Sequence, residues 1–215
     1  MGNLIKKKAR NIHRQDIFYN SELEELINAI TNDNIEEIRK IRKKGKVNFT
    51  HYTQTGDNPL HIAVKMSSRK SIEYLLENIP EINIEDKNFN GDTALMIAIF
   101  RNNLSLIKNL INNHAANVNT REKGGSTPII IAAANGFLPI LQYLVFETKA
   151  DCTIRNNDFQ TAVHRAAFYG ELKILDFLRQ HTPLSFCCKD RLGNTPLHLA
   201  SMRLKISCIR YILAK

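Results

Sequence analysis

The stretch GNTPLHLAS, residues 193–201, decides the fold, because the chain carries altered copies of it in GDNPLHIAV (56–64), GDTALMIAI (91–99), GSTPIIIAA (125–133) and FQTAVHRAA (159–167). The residue in the threonine position falls at Asn58, Thr93, Thr127, Thr161 and Thr195, so the spacings are 35, 34, 34 and 34. A fixed period of this length marks stacked repeats, each too small to bury its apolar face alone.

After each copy comes a second apolar segment: SIEYLLENI, LSLIKNLIN, LPILQYLVF, LKILDFLRQ and ISCIRYILA. Leu and Ile recur there at i, i+3 and i+4, which predicts an amphipathic helix. Polar stretches such as INIEDKNFNG and NVNTREKGG follow, and their Asn, Asp and Gly residues predict turns. Each unit therefore reads as helix, turn, helix and protruding loop.

These residues resemble the ankyrin repeat, whose pattern runs Gly-x-Thr-Pro-Leu-His-x-Ala-Ala, then Gly, an Ile/Val-x-x-Leu-Leu helix and an Asn-rich hairpin. The resemblance implies an all-α solenoid of stacked helix-turn-helix units with hairpin-like loops. Five repeats are expected at 55–89, 90–123, 124–157, 158–191 and 192–215, with a polar capping repeat at 21–54 and a basic arm at 1–20. It also implies that His61, His164 and His198 are structural, each tying its repeat to a neighbour. Recurrence supports that role, since a catalytic group is needed once and a structural one in every unit. Met96 and Ile130 stand where the motif expects His, and Phe159 replaces the turn glycine at a position where left-handed backbone is usual.

Composition is that of an ordinary soluble globular chain, 43% hydrophobic and 24% charged, with a net charge of +9. Much of the excess is N-terminal, because Lys6, Lys7, Lys8, Arg10 and Arg14 precede the first acid, Asp16. Cys152, Cys187, Cys188 and Cys208 form no CxxC pair and no zinc spacing, so reduced thiols in a cytoplasmic compartment are expected. No apolar core follows the basic start as a signal peptide requires. Residues 127–146 approach the length of a membrane span, but Asn135, Gly136, Pro139 and Gln142 interrupt them.

Nothing assembles a reaction centre: there is no GxxxxGK[ST] phosphate loop, HExxH helix or GxSxG elbow. Gly124-Gly125 reads as a hairpin turn, and Glu24-Glu25 and Glu36-Glu37 as a solvated face. One of Cys187 and Cys188 is expected to point inward as a small apolar residue. No enzyme activity, cofactor or metal is expected.

Family resemblance puts partners on the concave face of the first helices and on the loop tips. Carried over repeat by repeat, the concave positions are Lys65 and Met66, Phe100 and Arg101, Ala134 and Asn135, Phe168 and Tyr169, and Met202 and Arg203. Aromatic, Met and Arg residues are enriched at interface centres. Partial packing of Phe100 and Phe168 against adjacent helices is the alternative. Five repeats about 8–10 Å apart would offer a groove about 40 Å long, which suits a protein segment. Tip candidates are His51, Tyr52, Lys87, Phe89, Arg121, Arg155, Phe159, Lys189 and Arg191.

The expected function is therefore non-catalytic protein binding by a monomer. The Lys, Asn and Ile bias resembles ankyrin proteins of intracellular pathogens and large DNA viruses, which would make the chain a secreted effector acting on host proteins in a host cytosol. One alternative is a membrane-tethered adaptor, in which an acylated Gly2 and the basic residues of 1–14 act together, although Lys6 stands where Ser or Thr is preferred. Another is the targeting region of a larger enzyme or effector. Nucleic acid is not expected, despite a second basic run from Arg39 to Lys46, because no aromatic residues interleave with the lysines. The last helix, with Ile206, Ile209 and Leu213 expected inward, lacks the polar outer face of a natural cap, and truncation after Lys215 is the expectation.

Overall fold

The computed structural model describes residues 23–45, 47, 49 and 53–214; the basic arm, Gly2, Lys46, His51 and Tyr52 lie outside them. The described residues are helices joined by turns and loops, with no strand among them. The chain forms two compact units, the first ending at Asp86 and the second beginning at Lys87.

In the first unit, α1 (23–31) and α2 (Ile35–Lys44) are followed by α3 (Pro59–Met66) and α4 (Arg69–Asn78). Helix α2 is bounded by local chemistry: the Asn34 side chain accepts from the Glu37 amide, and Gly45, left-handed at φ 65°, donates its N–H to Arg42. Acids in its first turn and Arg42, Lys43 and Lys44 in its last suit the helix dipole. Ile38 and Ile41 are buried on its inner side, and α2 packs against α4. Asp33 joins the pairs, accepting from the Ser71 amide at 2.7 Å and hydroxyl at 2.8 Å at the start of α4.

The second unit contains four helix pairs: α5 (Ala94–Phe100) with α6 (Leu104–Asn112), α7 (Pro128–Ala134) with α8 (Leu138–Glu147), α9 (Ala162–Tyr169) with α10 (Leu172–His181), and α11 (Pro196–Met202) with α12 (Ile206–Leu213). First helices stack in order, α5 on α7, α7 on α9 and α9 on α11, while α8, α10 and α12 stack behind. The core lies between these layers. It takes nearly all of α5 and α7 and one face of each second helix, including Leu106, Ile107 and Leu110 of α6 and Ile174, Leu175, Phe177 and Leu178 of α10. The apolar window 127–146 is two helices broken at Asn135–Phe137, and no helix among the described residues is long and apolar enough to cross a membrane.

Three of the loops are tight hairpins organised by a buried side chain. Asn88, Asn156 and Asp190 each accept backbone N–H groups two and four residues on, and their own amides bond Asp92, Gln160 and Asn194. Phe159 keeps the backbone of the glycine it replaces, at φ 59°.

Helix α12 departs from expectation. Ile206 and Leu213 are exposed and Ile209 is half-buried; Cys208 is the buried residue of this helix. It packs on α10 and α11, and the side chains turned away from them face solvent, whereas α8 and α10 have stacked neighbours.

The motif histidines show what repetition does and where it stops. The Asn58 N–H donates to His61 Nδ1 at 3.1 Å, which leaves the proton on Nε2, and Nε2 lies 3.0 Å from the Asp86 carbonyl it donates to. Burial pushes the His61 imidazole below its usual pKa, against the opposing charges of Asp57 and Asp86. His164 is buried and lowered in the same way, with Nδ1 accepting from the Thr161 N–H. His198 forms the same local cap with Thr195 but is exposed. Its helix carries no following loop among the described residues, so the expected tie to a neighbour is not formed there.

Candidate functional site

The C-terminal ends of α5, α7, α9 and α11 come together within the second unit. A groove of about 690 Å³ is lined by Phe100, Ile130, Ile131, Ala134, Asn135, Arg165 and Tyr169 from the helices. Asn90, Asp92, Glu122, Lys123, Gly124 and Ser126 of the hairpins close its other side. Phe100 and Tyr169 are 48% and 43% exposed, too open to count as core.

Beside the groove, four side chains interlock. The Arg203 guanidinium carbon sits 4.3 Å from the Phe168 ring centre, and Phe168 meets Tyr169 edge to face at 5.1 Å. Arg165 then covers the Tyr169 ring at 4.9 Å and donates from Nη2 to the Tyr169 hydroxyl at 3.0 Å. Cation–π contacts of this kind hold side chains without consuming the charge, so the pair of guanidinium groups stays available to a partner. Phe168 is half-buried within this stack, midway between an open anchor and a packing residue. Met202, 67% exposed, ends the row.

Of the expected concave residues, Phe100, Ala134, Asn135 and Tyr169 line the groove, and Phe168 and Arg203 brace Tyr169 and Arg165. Asn135 directs its side-chain N–H groups to the Ile131 carbonyl at the end of α7. Arg101 is exposed and is not among the lining residues. Lys65 and Met66 belong to the first unit, where Lys65 is ion-paired with buried Asp57. Phe159 lies on the hairpin edge with Arg191 over its ring at 5.3 Å. Arg165 was not among the expected residues. Its signal was its place four residues before Tyr169, on the same helical face.

No nucleophile is assembled where Cys188 meets His164, the thiol–imidazole contact among the described residues. Cys188 Sγ is 3.7 Å from His164 Nδ1, but that nitrogen already accepts from Thr161, and the thiol donates to the Ser185 carbonyl at 2.8 Å. Burial pushes the Cys188 thiol up, against the Thr161 bond and the charge of Arg155, so it stays protonated. Cys188 is thus the inward member of the vicinal pair and Cys187 the exposed one. Among the described residues, no group of three or more His, Cys, Asp or Glu side chains could hold a metal ion.

Comparison with known proteins fits this architecture. Part of the chain is 33% identical over 84 residues to Alpha-latrotoxin-Lg1a of Latrodectus geometricus, a match that takes in 39% of this chain and 6% of that protein. A chain in the solved structure "Bd0816 Predatory Endopeptidase from Bdellovibrio bacteriovorus in complex with immunity protein Bd3460" superposes with a TM-score of 0.74 at 24% identity, covering 89% of this chain and 97% of that one. That likeness is one of fold. The sequence models for Ankyrin repeats (3 copies), Ankyrin repeats (many copies) and a single Ankyrin repeat match residues 80–156, 163–213 and 55–87. With its repeats matched from residue 55 to residue 213, the chain belongs to the ankyrin-repeat family.

Proposed function

We propose that this chain is a non-catalytic protein-binding module whose partner is gripped at the groove between α5, α7 and α9, with Phe100, Tyr169, Arg165 and Arg203 as anchors. One observation carries this reading: exposed and half-buried aromatic and arginine side chains, the types enriched at interface centres, are braced by each other beside a groove. Their mutual contacts fix rotamers before a partner arrives, so little side-chain entropy is lost on docking. Protein binding is the general role of the family, and the protonated Cys188 thiol supports a chain without catalysis of its own. Four free thiols suit a reducing, cytoplasmic setting. Action as an effector on host proteins is the wider form of the same reading.

A photo-crosslinking amino acid placed at position 169 should capture a protein partner that the same group at Gln142, exposed on α8, does not. Tyr169→Ala should then weaken that partner about tenfold or more with little change in melting temperature. Equal capture from both positions would remove the groove as the binding surface.

A further inference from the structure

We infer that the hairpin edge of the second unit is a second contact surface, built to take an extended acidic polypeptide segment. Lys87, Arg121, Arg155 and Lys189 recur at intervals of 34 residues, one at the base of each hairpin, and Lys123 and Arg191 stand at two of the tips. All six are exposed. Neighbouring hairpins are hydrogen-bonded to each other through backbone: Lys123 N–H to Asn90 at 2.9 Å, Asn157 N–H to Gly124 at 2.9 Å and Arg191 N–H to Asp158 at 2.8 Å. The cations are therefore held in register as one row.

Their bonds within the chain leave the charge uncompensated. Lys87 Nζ donates to the Arg121 carbonyl at 2.9 Å, Arg121 Nη2 to Asn157 Oδ1 at 3.4 Å and Arg155 Nη1 to the Lys189 carbonyl at 3.2 Å. Each acceptor is neutral and lies one repeat further along, so the side chains lean along the row instead of neutralising it. Two of the nearby acids point the other way. Asp190 is buried and accepts the Leu192 and Asn194 amides, and Glu122 accepts the Gly124 and Ser126 amides. Burial alone would raise the Asp190 carboxyl, yet these amide bonds and the Gln160 and Asn194 side chains hold it below its ordinary value. With Asp158 the exposed acid among these hairpins and six cations turned out, the edge is predominantly positive.

The geometry favours a polypeptide. Stacked repeats about 8–10 Å apart match about three residues of extended chain, so an acid at every third position meets one cation per repeat. A row in single file does not follow the two strands of a duplex. For single strands the edge offers too few rings for successive stacking: Arg191 already covers Phe159, which leaves Phe89. This surface deepens the protein-binding reading and rests on it, since the acidic segment would flank the part of the partner held in the groove.

The test uses the full chain and a labelled twelve-residue oligoglutamate peptide, followed by fluorescence anisotropy at low salt. Replacing Lys87, Arg121, Arg155 and Lys189 together by Gln should weaken binding about tenfold or more. Removing the same number of cations from α2, as Lys40→Gln, Arg42→Gln, Lys43→Gln and Lys44→Gln, should change it less than about twofold if the edge and not net charge is read. Equal loss in both variants, or no binding by the wild-type chain, overturns the proposal. So does tighter, edge-dependent binding of an oligothymidylate or of phosphatidylserine vesicles than of the peptide. Capture through position 169 reads the groove separately, so failure at the edge leaves that result standing.

Discussion

The repeats that lack the motif histidine leave a specific defect, and repairing it should stabilise the protein. Thr161 and Thr195 direct Oγ1 to a His Nδ1 at 3.1 and 2.8 Å. Thr93 and Thr127 face Met96 and Ile130 at the same step, and their hydroxyls, 1% exposed as residues, find no hydrogen-bond partner. A buried hydroxyl without a partner costs about 1–3 kcal/mol. Valine has the same shape, and the backbone of Thr127 at φ −92° and ψ 166° is extended, where a β-branched residue is at ease. Thr127→Val should therefore raise stability by about 1–3 kcal/mol, and Thr93→Val similarly. With a urea slope of about 2 kcal/mol/M, the midpoint moves up by about 0.5–1.5 M. Thr161→Val is the control, because it breaks a bond that is made, and should lower stability by about 0.5–1.5 kcal/mol. Urea titrations followed by circular dichroism decide the matter. If Thr127→Val lowers the midpoint, or if it and Thr161→Val move it in the same direction, the hydroxyls of Thr93 and Thr127 are not the liability proposed.

Leu204 closes the first-helix turn in left-handed backbone, φ 52°, with its side chain 78% exposed. Leu204→Gly removes about 1–2 kcal/mol of backbone strain and gives back part through the freer unfolded chain, so a net gain of about 0.5–1 kcal/mol is expected by thermal melting. Stability should also fall as pH drops below about 6.5. Burial lowers the folded pKa of His61 and His164 below the ordinary 6.5, so the unfolded chain takes up protons first; their contribution is whole above that pH and is lost on the way down to the folded values. Replacing both by Gln should flatten urea midpoints measured between pH 7.5 and 5.5. Gly136, left-handed at φ 72°, has Glu171 Oε2 where a Cβ would go, and Gly136→Ala should destabilise by about 1 kcal/mol or more, read by the same titration.

The fold was legible in the sequence because a repeat states its core several times over. The threonine step fixed the register of every helix pair, and Asn88, Asn156 and Asp190 recur at the hairpin base for the same reason. What one unit supplies to itself could be read; what a neighbour supplies could not. His198 carries the full motif but is exposed, and Ile206 and Leu213 have the spacing of core residues yet are exposed, with no layer packed on them among the described residues. Lys65 has the position of a partner-binding residue, yet Asp57 eight residues earlier in the chain claims its charge. The groove was half legible: its aromatic positions follow from the repeat, while the Arg165 and Arg203 stacking depends on side-chain directions that spacing alone does not give.

The same logic explains why the chain tolerates two repeats without the histidine. Met96 and Ile130 are buried to 0% and 1% exposure, and fully burying such a side chain contributes about 1.5–3 kcal/mol. That offsets much of a lost cap, worth about 1 kcal/mol, and of an orphaned hydroxyl, about 1–3 kcal/mol. The exchange is favourable where the first helix is deeply buried, and α5 and α7 are the first helices most completely buried, with every residue but the last of each inside. Histidine is kept in α3, α9 and α11, where Met66, Arg165, Tyr169, Met202 and Arg203 give the end or part of each helix to the surface. A helix with less apolar burial depends more on its cap, so the polar motif persists where side chains have been released to the surface, in α9 and α11 to form the proposed binding surface.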